Sequence, residues 1–196
     1  ISTEKYTLEE FRETFKEYQS KIRCCSVLPI AGDSELKTMY EYLPEEDISE
    51  EEKVGKVGEW TVWLPNSKET SIEIAGYDEK TGNPKTTWCT ARTKGSNLFY
   101  NYISNKTIIF LFYIIKDNPS GAEDWLSAGW AGKGPESVEL SSSGNGGLTV
   151  DRDNNGLKEE DFKRILGANW PAIYGLMKNK INELGGKNPA SKRSEE

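Results

Sequence analysis

Apolar residues recur at spacings of three and four through Leu8, Phe11, Phe15, Tyr18 and Ile22, behind a Thr7/Glu10 capping box, which predicts an amphipathic helix over residues 8–23. A second, shorter helix is expected from the Ser34 cap through Leu36, Met39, Tyr40 and Leu43, ended by Pro44. The pattern then changes. Residues 60–64, Trp-Thr-Val-Trp-Leu before Pro65, read as a strand, and Asn66 or Ser67 can cap a helical segment through Ile72, Ile74 and Ala75 up to Gly76. Residues 78–86 are dense in turn formers and are expected to be an exposed loop. The strongest local feature is the unbroken apolar or β-branched run from Thr107 to Ile115, bounded by polar residues on both sides, which reads as a central strand buried on both faces. Its expected partners are the Trp60 strand and segments 126–131, 137–140 and 148–150, the last two forming a hairpin about the Ser/Gly-rich turn 141–147. A helical pair closes the pattern: residues 157–166 stop at Gly167, and residues 170–184 carry Pro171 in the first turn and stop at Gly185-Gly186. The expectation is a single α+β domain over residues 1–186, with a mixed or antiparallel sheet, an N-terminal helix and a C-terminal helical pair. Residues 187–196 have the composition of a flexible tail.

Composition sharpens this picture in a few places. The chain has 196 residues with 29% charged and 11% aromatic positions, so its core is expected to be rich in Trp, Tyr and Phe. The net charge of −7 repels phosphate backbones, which sets direct nucleic-acid binding aside. Much of that excess lies in the run Glu41 to Glu52, a solvated loop or frayed helix, or else a surface for a basic partner. Cys24, Cys25 and Cys89 lack the spacing of a disulfide framework or zinc site and fit a reducing compartment, hence a cytoplasmic location. No stretch has the length of a membrane span, and the initial Ile in place of Met reads as a trimmed or partial chain.

The chain contains no histidine. Ser-His-Asp and Cys-His catalysis and histidine-ligated metal sites are thereby excluded. Residues 151–156, Asp-Arg-Asp-Asn-Asn-Gly, match the first half of a calcium loop, but Phe162 stands where the bidentate acid belongs, so the segment reads as a polar turn before the next helix, and no metal or other cofactor is expected. The glycine clusters at 129–134 and 144–147 lack the Gly-Lys-Ser/Thr ending of a phosphate cradle and read as turns.

The segment immediately before the central strand differs in character. It gathers Trp88, Cys89, Thr90, Arg92, Asn97, Tyr100 and Tyr102, with Ser96 able to cap a short helix through Ser104. A polar, aromatic connector leading into a buried strand is a common place for a pocket. Trp88, Thr90, Arg92, Asn97 and Tyr100 are therefore the candidate ligand-binding residues: Arg92 to hold an anionic group, Asn97 to orient it and the aromatics to stack. Cys89 reads as a buried small hydrophobe.

The Trp-bearing strand ending at Pro65, then Trp88-Cys-Thr-Ala91, Asn97-Leu-Phe99, Tyr102 and the aromatic strand, resembles a group of domains from large bacteriophages and giant viruses that share a Trp-Cys-Thr-Ala signature. The likeness covers residues 60–167, with Thr87 where the group carries Lys; it implies a viral or mobile-element source and brings no activity with it. The functional expectation is an intracellular binding or accessory domain whose residues 88–102 line a pocket for a small anionic ligand or a protein partner. Alternatives are a nucleotide-using transferase or hydrolase, with Glu73 or Asp124 as base, and an acidic antagonist of a nucleic-acid-binding host protein.

Overall fold

The computed structural model describes residues 52–78, 82–93, 95–104, 110–132, 137–142 and 148–190, all within the unit Glu46–Glu196. The helices expected over 8–23 and 34–43, and the acidic run before Glu52, lie outside the described residues.

The fold is α+β, built on an antiparallel sheet. Its strands are β1 (Lys53–Val57), β2 (Trp60–Trp63), β5 (Phe110–Lys116), β6 (Trp125–Ala131), β7 (Glu139–Leu140) and β8 (Val150–Asp151), in the order β1-β2-β5-β6-β7, with β8 also on β6. The small hairpin of β3 (Tyr77–Asp78) and β4 (Asn83–Pro84) stands apart from it, in the segment expected to be loop. The helices are α1 (Lys68–Ala75), α2 (Phe99–Ser104), α3 (Glu159–Leu166) and α4 (Trp170–Glu183). Among the described residues no helix is long and apolar enough to cross a membrane.

β5 is the interior strand, flanked by β2 and β6, and its alternation divides the molecule. Phe110, Phe112 and Ile114 join Trp60, Val62, Leu126, Ala128 and Trp130 on one face, where α3 and α4 close the core with Phe162, Leu166, Trp170, Ile173 and Met177. Leu111 and Tyr113 point to the opposite face and meet Ile74 and Ala75 of α1, Phe99 and Ile103 of α2, Trp88 and Ala91. A strand with helices or a packed connector on both sides must be apolar on both sides, which is why the run reads continuously. The core is aromatic: Trp130, Tyr113, Phe99, Phe110, Phe112 and Phe162 are fully buried.

The structure departs from the sequence reading at identifiable points. Residues 137–140 and 148–150 do not pair with each other: β7 pairs with Trp130 and Ala131, and β8 with Leu126 and Ser127, along the same edge of β6. β5 runs on through Lys116, whose ammonium lies 5.9 Å from the Trp60 ring and pairs with the Glu59 carboxylate at 3.1 Å. Glu52, the last residue of the acidic run, is buried, and its carboxylate accepts from the Asn66 amide at 3.3 Å. The chain also remains packed beyond Lys187, since Asn188 and Ala190 are buried and Ala190 belongs to the second core.

Candidate functional site

The segment that leads from the β3–β4 hairpin to α2 lies against the second face of the sheet, and the reason is the Tyr113 phenol. A tyrosine on a strand buried on both faces needs hydrogen-bond partners for its hydroxyl. Ser71 of α1 lies at 2.7 Å and Thr90 of the connector at 2.9 Å, and Ser71 also donates to the Thr90 carbonyl at 2.8 Å. Neither Ser71 nor Tyr113 stands out in the sequence as a site residue; the available cue was the lone hydroxyl within Phe-Leu-Phe-Tyr-Ile-Ile.

Trp88 is likewise turned inward. Its ring lies 4.8 Å from that of Tyr113, and its indole N–H donates to the Asp151 carbonyl at 2.7 Å. Thr87 continues this junction: its amide and hydroxyl both donate to the Arg152 carbonyl, at 3.0 and 2.9 Å, and Asn154 Nδ2 donates back to its carbonyl and hydroxyl oxygens. Asn97 closes the next turn. Its Nδ2 donates to the carbonyls of Thr90 and Arg92, both at 3.0 Å, while its Oδ1 accepts from the Phe99 amide at 2.9 Å. Asn97 therefore caps the entry to α2, the role expected of Ser96, because the amide side chain holds donor and acceptor at once.

The five candidate residues thus share one connector but differ in direction. Trp88 and Thr90 are interior, Asn97 and Tyr100 are half-buried, and Arg92 is exposed. The Tyr100 hydroxyl accepts from the Lys68 amide at 3.3 Å and its ring meets Phe99 edge-on. Arg92 forms no ion pair with any described residue, so among the described residues of this segment its guanidinium is the charged group offered to solvent. Cys89 is half-buried instead of enclosed. Partial burial, and then the neighbouring Cys89 thiol, push the Tyr102 phenol above its ordinary value.

The turn at 151–156 uses its own donors in place of a cation. Asp151 is buried, with Oδ1 accepting from the amides of Asp153 and Asn155, both at 2.9 Å, and Oδ2 accepting from Asn155 Nδ2 at 2.8 Å. Phe162, at the position of the missing acid, is a fully buried core residue. Among the described residues no cluster of three or more His, Cys, Asp or Glu could hold a metal ion. Asp124 is equally committed. Amide donation from Gly121 and Ser120, with Lys116 nearby, holds its carboxyl below the usual range, the opposite of what a general base at neutral pH requires.

Burial pushes the Tyr113 phenol up to about 12, against the lowering influence of Ser71 and Thr90. The unfolded chain ionises this group first, so the stability it contributes is complete below about pH 10 and is lost between about pH 10 and 12, by about 3 kcal/mol in all. Melting wild type and Tyr113→Phe across that range checks the sign. At neutral pH the variant is expected to be less stable by about 1–3 kcal/mol, because Ser71 and Thr90 lose a partner; above pH 10 it should fall less steeply than wild type.

Compared with family models, curated proteins and solved structures, the chain matches none.

Proposed function

We propose that this chain is a binding or accessory domain that works inside cells and comes from a phage or other mobile element, and that its segment 88–102 presents Arg92 to an anionic group of a small ligand or protein partner. The observation that carries this reading is the Asn97 clamp. By holding the carbonyls on either side of Ala91 it fixes the backbone from which Arg92 projects, while Trp88 and Thr90 anchor the same turn in the core. A pre-ordered cation loses little freedom when it meets an anion, and a guanidinium remains charged and forked at any working pH. Thr90 and Asn97 beside it, by contrast, are taken up in hydrogen bonds that hold the fold, which supports recognition over catalysis by those two groups.

A thermal-shift screen of the purified chain with nucleotides, dinucleotides, cyclic nucleotides and divalent cations tests for the ligand, since a compound at a hundred times its Kd stabilises the fold by about 2.7 kcal/mol. For any ligand or partner so found, Arg92→Ala is expected to leave stability within about 0.5 kcal/mol of wild type and to weaken binding roughly tenfold to a hundredfold. Cys89→Ser should bind as wild type does. Wild-type affinity in Arg92→Ala would remove the proposed site.

A further inference from the structure

The turn at 151–156 ends in Asn155-Gly156. Glycine has no side chain to obstruct attack of its amide nitrogen on the preceding side-chain carbonyl carbon. Both residues are exposed. Gly156 forms an antiparallel bridge with Val150, but the hydrogen bonds of that bridge run from Asp151 N to the Asn155 carbonyl and from Leu157 N to the Thr149 carbonyl. They pass on either side of Gly156 and leave its own N–H without a hydrogen-bond partner among the described residues.

We infer that Asn155 is a site of spontaneous deamidation which loosens this turn and, through it, the connector at residues 86–88. The deprotonated Gly156 nitrogen attacks Asn155 Cγ. The new C–N bond closes a cyclic imide, the Cγ–Nδ2 bond breaks, and the side-chain nitrogen leaves as ammonia with the proton that Gly156 gave up. Water then adds to either ring carbonyl and opens the imide to aspartate or isoaspartate, with no change of oxidation state. The contacts that oppose the attack are the bond from Asn155 Nδ2 to Asp151 Oδ2 at 2.8 Å and the two bonds that hold the Asn155 backbone, its amide donating to Asp151 Oδ1 at 2.9 Å and its carbonyl accepting from the Asp151 amide at 3.0 Å. Releasing a side-chain hydrogen bond to a carboxylate slows the reaction roughly tenfold to a hundredfold.

The product reverses the electrostatics of the turn. A donor facing the buried Asp151 carboxylate becomes a second carboxylate, and two like charges cannot share that position without cost. Asp151 carries the carbonyl that receives the Trp88 indole, and Arg152 and Asn154 hold Thr87, so strain at Asn155 reaches the connector directly.

The test is a peptide map of the folded chain after incubation in warm, mildly alkaline buffer. The other Asn-Gly pair of the sequence, Asn145-Gly146, serves as a comparison within the same digest. Aspartate and isoaspartate should accumulate at Asn155, and the aged protein should melt roughly 2–4 °C lower or more. Freshly made Asn155→Asp should show a comparable drop. Gly156 is not among the positive-φ residues, so Gly156→Ala fits the backbone and should suppress modification at Asn155. An Asn155 that stays intact while Asn145 reacts, or an Asn155→Asp that melts with wild type, overturns the inference; the wild-type map alone decides it if Gly156→Ala does not fold.

Discussion

Phe112→Asp is expected to yield no folded, soluble protein. Phe112 is fully buried at the interior of the sheet, opposite Ala128, with ring centroids 6.2 Å from Phe110 and 6.4 Å from Trp130. Removing the ring alone costs about 3–5 kcal/mol. An unpaired carboxylate in its place adds several kcal/mol more, and together these reach the whole margin of about 5–15 kcal/mol that a domain has. Soluble expression and far-ultraviolet circular dichroism measure the outcome. Phe112→Leu, which keeps most of the apolar volume, should remain folded and serves as the control. A soluble Phe112→Asp with a cooperative melt would mean that this face of β5 is not enclosed by α3 and α4.

The second large effect is expected at Trp88, and without any ligand present. Trp88→Ala removes a side chain that is 2% exposed and packed at a tilt against Tyr113, a loss of about 3–5 kcal/mol. It also deprives the Asp151 carbonyl of the indole donor. Trp88→Phe separates these contributions: most of the area stays, the hydrogen bond goes, and a loss of about 1–3 kcal/mol is expected. Urea midpoints of the three proteins give the comparison. Wild-type stability in Trp88→Ala would show that the ring is a surface feature available for stacking on a ligand.

The β5 run, the Ser67-capped helix and the Trp170 helix were legible because each is dictated by local pattern: continuous apolar residues, a cap whose hydroxyl accepts from the Thr70 amide, and Pro171 with the positive-φ Gly185 and Gly186 as start and stop. β1 was not legible. Val54 and Val57 both pack on the first core, a spacing of three that no regular strand gives; a bulge between Lys53 and Gly55 makes it possible. A Cβ at Gly55 would meet Cδ1 of Leu176 in α4 at 3.0 Å, so that side chain would have to give way by a few tenths of an ångström. The connector at 88–102 was recognisable as unusual by composition, yet the direction of each side chain depended on residues far away in sequence. Trp88 turns inward because Asp151 offers a carbonyl, and Thr90 because Tyr113 needs a partner, and neither dependence leaves a periodic trace.

The two short strands on the outer edge of β6 bear on how copies of this protein behave when crowded together. β7 and β8 occupy opposite ends of that edge, and between them the Gly129 carbonyl accepts from the Ser141 amide at 2.8 Å while the Gly129 amide donates to Thr149 Oγ1 at 3.2 Å. With its middle also bonded, the β6 edge has no row of open donors and acceptors on which a foreign strand could grow. β7 and β8 themselves offer outer edges of only two residues each, so the longest edge left among the described strands of this sheet is the outer side of β1. There Lys53 and Lys56 place charge along the strand, and charged edge residues of this kind discourage one sheet from adding to another.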